Sequence, residues 1–476
     1  MNNYRYNKYS YICQKVIDDN TDIINKFIST NYFTNILSNN KFVQNIQKSI
    51  TDTLNIKRGY NMTFHQVYKI HDMEQVPLIY ILFSKLHEHG ILEKLHSDIP
   101  TDFTTHNFIV WFRKSQDKIN FDKILDELDK LKKEDEEVLE ICSLIFNTKG
   151  PREKLHKLLY ENPFVSIDVQ NHAETSNMRN DNYVFDDGTQ LSVYYIDSKH
   201  SLDLDLVQHI LSFMENISSK LFDTGITAKP NLTIFLGLQK KFMEINNENY
   251  GESNFLAPDN INSGSTIKGH SIMLWRKEEI YKVLIHELIH FYGIDFYVYD
   301  KNYSTVEKYL DNNFCIHGFD RPNESYTETL AILFHTMFVS KYVGENLDIL
   351  LWKEFVHSLI QVGKILDFYK LKSITDVQKL DSQCKSTLHQ KTSVFSYYII
   401  KSSFLLNLQN FLIFVSDKIP IKNHTDDFVK LIDSSIDNKT FHTIIDKVKN
   451  NIVLNEEYLQ KNMRMSCLQI EHKQDN

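Results

Sequence analysis

The stretch "KVLIHELIHFYGID", Lys282 to Asp295, places two histidines and a glutamate in a run that is otherwise strongly apolar. Apolar residues at three- and four-residue spacing predict a helix here. His286 and His290 then stand at i and i+4, on one face, about one turn apart. On a helical wheel with His286 at 0°, His290 falls at about 40° and Glu287 at about 100°, while Ile280, Leu284 and Leu288 lie between about 120° and 200°. Tyr281, Ile285 and Tyr292 continue the apolar arc. Gly293 projects to the narrow polar side, where a missing side chain leaves space. Polar groups inside such a helix are costly unless they are satisfied. The fold must therefore bring a partner to the histidine pair.

The chemistry that fits is metal binding. Two neutral imidazoles hold Zn²⁺ at about 2.0–2.1 Å and leave room for a third ligand and a water. Glu287 cannot reach the metal comfortably, but it can reach that water and take its proton. The third ligand has two candidate origins. In an HExxHxxGxxH extension Gly293 fills the glycine position, but Phe296 stands where a ligand is required, and Asp295 is one residue too early. The other origin is "RPNESYTETLAILFHTMF", Arg321 to Phe338. Pro322 and Asn323 can start a helix. Glu324 and Glu328 then share a face, continued by Ala331 and His335, with Leu330, Leu333 and Met337 opposite. Either carboxylate can be the ligand, with the other as its support. His335 reads as a buried, hydrogen-bonded core group.

"HELIH" followed by "NESYTE" resembles the gluzincin zinc peptidases, in which HExxH precedes an NExxS/T-D/E-like segment. "ESYTETLAILFH" is similar to its counterpart in lethal-factor-type toxin peptidases. The resemblance covers roughly Ser192 to Phe338. It implies a zinc-dependent endopeptidase with one catalytic Zn²⁺ on His286, His290 and Glu324, Glu287 as general base, and Glu328 orienting His286. It also implies a protein or peptide substrate, paired by strand addition to "HSIMLW" (His270 to Trp275). The oxyanion donor expected of this chemistry is His317, with Tyr326 and Tyr299 as rivals. Residues 291–323 separate His290 from Glu324, longer than in thermolysin-like members, so an inserted excursion is expected. The alternative is a catalytically inactive binding, virion or assembly protein on the same fold.

The rest of the chain sets limits. The expected fold is α+β and predominantly α, with a zincin-like catalytic domain built on a small mixed sheet. Its domains are residues 1–165 (helical), 166–416 (catalytic) and 417–476 (helical extension). Within the first, "DKLKKEDEEVLE" reads as a solvated helix face, and a helix can restart at Gly150-Pro151. A net charge of −9 over 476 residues gives no general attraction for nucleic acid. Lysine outnumbers arginine 45 to 8, which points to an AT-rich genome such as that of a large DNA virus. Five scattered cysteines without a CxxC argue against a disulfide framework and for a reducing, cytoplasmic setting. "MNNYRYNKYSYICQKV" lacks a signal-peptide apolar run. Val394 to Val415 is apolar but interrupted by Lys401, Asn407, Gln409 and Asn410, so it reads as a buried helix and not a membrane span. The "EHKQDN" tail is expected to fray.

Overall fold

The structure is a computed structural model. It describes residues 4–472 except 30, 57–58, 67–75, 101, 116–122, 125–126, 128–129, 131–150, 176–178, 197–199, 244–254, 296–302, 380–382, 420–422, 452–453 and 455–456. The "DKLKKEDEEVLE" run falls almost wholly outside these residues. A helix does begin at Pro151 and runs to Tyr160.

Helices dominate, around one mixed sheet. Ten strands are described. β1 (Tyr4–Tyr6) pairs with β10 (Ile470–His472), and β8 (Ile316–Gly318) with β9 (Leu388–Gln390). The main sheet has six strands: β2 (Tyr60–Gln66), β3 (Arg179–Phe185), β4 (Gln190–Tyr195), β5 (Asn231–Phe235), β6 (Gly264–Ile267) and β7 (Ser271–Leu274). Their spatial order is β2-β3-β4-β5-β7-β6. β4, β5 and β7 are parallel and central, and the remaining pairs are antiparallel. The helix Leu204–Lys220 connects β4 to β5, capped by Asp203, whose side chain accepts from the Leu206 N–H. It packs against the helices Lys41–Leu54 and Ile280–Tyr292.

The edge strand corrects one expectation. "HSIMLW" contains β7, but β7 is an inner strand between β5 and β6. The edge is β6, "GSTI", which reads as loop because it lacks alternating apolar residues. Ile267 is largely exposed, and β6 takes its register entirely from β7.

The two helices carrying the sequence motifs form where the spacing predicts, at Ile280–Tyr292 and Asn323–Val343. They pack directly on each other. Behind them lies Leu347–Phe368, almost entirely buried. The apolar run from Val394 is not one helix. It is a π-helix (Phe395–Ile400), a short α-helix (Lys401–Leu406) and a second helix (Leu408–Asp417), with a bend of 97°. Among the described residues no single helix is long and apolar enough to cross a membrane, although this bent pair is so by length and composition. Its residues are mostly buried within the protein.

Residues from all three expected segments enter one hydrophobic core, from Tyr6 to Ile470. The N-terminal segment supplies β2 to the main sheet and β1 to the pair with β10. Glu471 and His472, expected to fray, are paired in β10. The sequence argues against a disulfide framework; one disulfide is present, Cys315 to Cys384 with Cα atoms 6.2 Å apart, while Cys13 and Cys467 are buried and free. The two bonded cysteines are 69 residues apart in sequence and lie just before the paired strands β8 and β9, where both also meet the Val377 carbonyl.

The chain just before β10 runs through the interior. Met463, Arg464, Ser466, Cys467 and Leu468 are wholly buried. An extended segment in such a place must find partners for its backbone groups. Glu279 accepts from the N–H groups of Met465 (2.9 Å) and Ser466 (2.6 Å). Glu354 accepts from the Ser466 hydroxyl (2.5 Å) and from the N–H groups of Cys467 (3.1 Å) and Leu468 (3.3 Å). Gln361, Lys364 and Tyr398 donate to carbonyls of the same segment. Glu354→Ala leaves these donors buried without an acceptor, so it is expected to lower the unfolding free energy by about 3 kcal/mol. Denaturant titration followed by circular dichroism measures this. A loss below about 1 kcal/mol would mean the segment is held mainly by apolar packing.

Candidate metal centre

Ile280–Tyr292 presents His286 and His290 from its one polar face, as the i, i+4 spacing requires. Asn323–Val343 crosses it and presents Glu324. Three atoms converge. His286 Nε2 and His290 Nε2 are 3.1 Å apart, and Glu324 Oε2 lies 3.2 Å from each. His286, His290 and Glu324 form a group that could hold a metal ion. A tetrahedral zinc about 2.0–2.1 Å from each ligand needs them about 3.3 Å apart, so the triangle has the right size.

The opposite ring nitrogens explain why these atoms face one another. His286 Nδ1 is 2.9 Å from Glu328 Oε2, and His290 Nδ1 is 2.8 Å from Asp295 Oδ2. A carboxylate at Nδ1 favours the tautomer with the proton there, which leaves the Nε2 lone pair free. Two such lone pairs and a carboxylate oxygen then point at one spot. Without a cation that arrangement is repulsive, and the centre's titration answers this. Burial opposes charging of His286, yet hydrogen bonds to Glu324 and Glu328 raise its pKa. Burial likewise opposes His290, but Asp295 and Glu324 raise it well above the ordinary value. Burial would raise Glu324, but the two imidazoles hold it far below the usual carboxylate range. The centre thus stabilises positive charge.

The supporting carboxylates are themselves anchored. Lys282 Nζ donates to both oxygens of Glu328, at 2.8 and 3.0 Å. Burial would raise Glu328, but Lys282 and His286 hold it at about 2. Asp295 Oδ2 also accepts from Asn323 Nδ2 (3.1 Å) and Thr327 Oγ1 (3.2 Å). Asp295 can reach back because Gly293 ends the helix with φ 64° and ψ 38°, a left-handed turn that favours glycine. A Cβ on Gly293 would also meet the Lys268 side chain at 2.5 Å, so the space expected there is occupied by lysine.

Glu287 points into the same cleft. Its Oε2 accepts from Thr266 Oγ1 of β6 at 2.6 Å. Gly264, on the same strand, makes room for it, since a Cβ there would stand 2.5 Å from Glu287 Oε1. Burial raises the Glu287 pKa against the pull of both histidines and Thr266. The cleft holds about 120 Å³ and opens along β6, the chain before Glu324, and Thr392 to Tyr397.

The expected oxyanion donors do not assemble here. His317 is exposed on β8, its ring 5.2 Å from that of His389, and does not line the cleft. His317 belongs to a strand of its own, separated from the helix that carries Glu324 by the irregular residues 319–321. Tyr326 is buried against Phe411, Phe414 and Phe428. Tyr299 and Phe296 lie outside the described residues. The tyrosine that does line the cleft is Tyr397, on the π-helix, with its ring 6.1 Å from that of His286. Burial and the carboxylates of Glu324, Glu287 and Glu328 drive its pKa well up, and its hydroxyl interacts with Glu324. His335 is buried in the core and neutral, its pKa lowered to about 3 by burial.

Sequence reasoning missed Asp295, Lys282, Thr266 and Tyr397. Lys282 had a signal, since it stands at i−4 from His286 on the same helix. Asp295 had one too, placed just beyond the helix-ending glycine. Tyr397 had none, because "VFSYYII" is equally a core pattern.

No family model matches the chain, and no solved structure matches it. It is similar to "Uncharacterized protein R210" of Acanthamoeba polyphaga mimivirus, 22% identical over 309 residues, covering 54% of this chain and 78% of that protein. That likeness is distant and names no function.

Proposed function

We propose that the protein is a zinc-dependent metallopeptidase with a zincin-like catalytic unit. The observation that carries this reading is the triangle of His286, His290 and Glu324, closed to the spacing of a tetrahedral zinc site, with a buried glutamate beside it. Bound zinc would polarise a substrate carbonyl and acidify water. The remaining work belongs to the chain. Glu287 is the general base, then carries the proton to the departing amine. Thr266 fixes the Glu287 carboxylate, and Gly264 keeps its rotamer open. Glu328 and Asp295 fix the two imidazoles from behind. Tyr397 donates a hydrogen bond to the oxygen on which charge develops. β6, at the sheet edge beside the cleft, pairs with an extended peptide.

Purified protein is expected to carry one zinc per chain by plasma mass spectrometry, and Glu324→Ala or His290→Ala to lose it. Glu287→Gln should keep the zinc and stop cleavage of a peptide library. Cleavage by Glu287→Gln at the wild-type rate, or zinc-loaded wild type that cuts nothing, would overturn the peptidase reading.

Asp295→Ala removes the acceptor that holds His290 Nδ1, and zinc affinity is expected to fall about 10- to 100-fold. Competition with a chromophoric chelator measures it. Unchanged affinity would mean that packing alone fixes His290.

Tyr397→Phe is expected to lower kcat about 100-fold with KM little changed, because its hydrogen bond strengthens in the transition state. Steady-state kinetics on a cleaved peptide test this. A change confined to KM would assign Tyr397 to substrate binding.

A further inference from the structure

The charged side chains lining the cleft fall into two groups. The carboxylates are all committed: Glu324 to the metal face, Asp295 to His290, and Glu287 to Thr266. Apart from the two histidines, the others are cations, Lys268 and Arg321. Arg321 is the better defined. Its backbone N–H donates to Ser393 Oγ (3.0 Å) and its carbonyl accepts from the Glu324 N–H (3.0 Å), so its position is tied to that of Glu324. Its guanidinium carbon sits 4.8 Å from the ring centre of Phe319, which is 40% exposed. An aromatic platform holds a guanidinium by cation–π attraction and leaves its edge N–H groups unused. Among the described residues no carboxylate lies within ion-pair distance of Arg321, and Glu307 only feels its charge without contacting it. A preorganised arginine fork in a cleft matches a planar carboxylate with two parallel hydrogen bonds.

We propose that Arg321, stacked on Phe319 at the cleft, binds a substrate carboxylate close to the bond that is cut, and so selects acidic peptides. This rests on the peptidase reading for the word substrate. The carboxylate has two sources, a Glu or Asp side chain or the free C-terminus of a short peptide. Arg321, with a zinc ion bound beside it, would make the cleft attractive to either.

The test uses zinc-loaded Glu287→Gln protein, which should bind peptides without consuming them. Fluorescence anisotropy is read with labelled, amidated peptides that carry Glu, or Gln, at each position in turn. A free-acid and amide pair of the Gln peptides forms the second arm. A carboxylate peptide is expected to bind at least 10-fold tighter than its neutral twin. Adding Arg321→Gln should abolish that difference, and Arg321→Lys, which keeps the charge without the fork, should reduce it. Preference in the first arm assigns a side-chain carboxylate, and in the second a chain terminus. No preference in either arm, no binding at all, or a preference that survives both substitutions overturns the proposal. Zinc content and thermal melting show that each variant is folded. Wild-type protein that fails to cleave peptides with the preference intact would sink the peptidase reading while supporting the Arg321 assignment.

Discussion

Three electron pairs aimed at one point, two on imidazole nitrogens and one on a carboxylate, are the arrangement around which the rest of this protein is organised. Left alone they repel, and a buried site lacks the water that would screen them. The structure nevertheless enforces the arrangement from behind. Glu328 and Asp295 hold the rings by their far nitrogens, and Lys282, Asn323 and Thr327 hold those carboxylates. The cluster is relieved by positive charge, a proton on the imidazoles, whose pKa values are raised, or a metal ion held by the three side chains.

That enforcement reaches the buried C-terminal segment through the residue before the histidine helix. Glu279 adopts φ 58° and ψ 25°, a conformation that costs a non-glycine residue of order 1 kcal/mol. Its carboxylate is fixed by the buried C-terminal segment and by Lys241, 2.8 Å away. Burial would raise its pKa, but Lys241, Lys282 and Arg464 hold it well below the usual range. The helix therefore starts from a strained residue pinned by chain nearly 190 residues downstream. Lys282 links the two networks, since it stands within the field of Glu279 and bonds Glu328. The C-terminal segment, far from the cleft in sequence, helps determine the direction in which His286 points.

What could be read from the sequence was what a single helix encodes. The i, i+4 pairing of His286 with His290 and of Glu324 with Glu328 is local geometry, and each helix had an apolar side to fix its orientation. The same logic left open which carboxylate meets the two Nε2 atoms, because Glu324 and Glu328 share a face. Only the crossing of the two helices separates them, setting Glu324 against both Nε2 atoms and Glu328 against His286 Nδ1. Long-range pairing was not legible. β6 is too polar to announce itself as a strand, β10 needs β1 across almost the whole chain, and the disulfide joins residues just before β8 and β9. His317 failed for the same reason. Proximity in sequence to Glu324 says nothing about the direction in which a ring on the separate strand β8 emerges.

Tyr397 shows where local and global requirements part. Its segment satisfies core packing completely, with Phe395, Tyr398, Ile399 and Ile400 wholly buried. A regular α-helix through this stretch would follow the 3.6-residue period. The π-helix widens the turn, and single-turn π insertions often occur at functional sites because they redirect one side chain without disturbing the rest. Here the redirected side chain faces Glu324 and Glu287 while its neighbours stay in the core. The hydroxyl is placed among carboxylates that hold it protonated, which is the state a hydrogen-bond donor requires. A core-like sequence can thus carry a polar group into the cleft, because the irregularity that does so lies in the backbone and leaves no mark on the hydrophobic pattern.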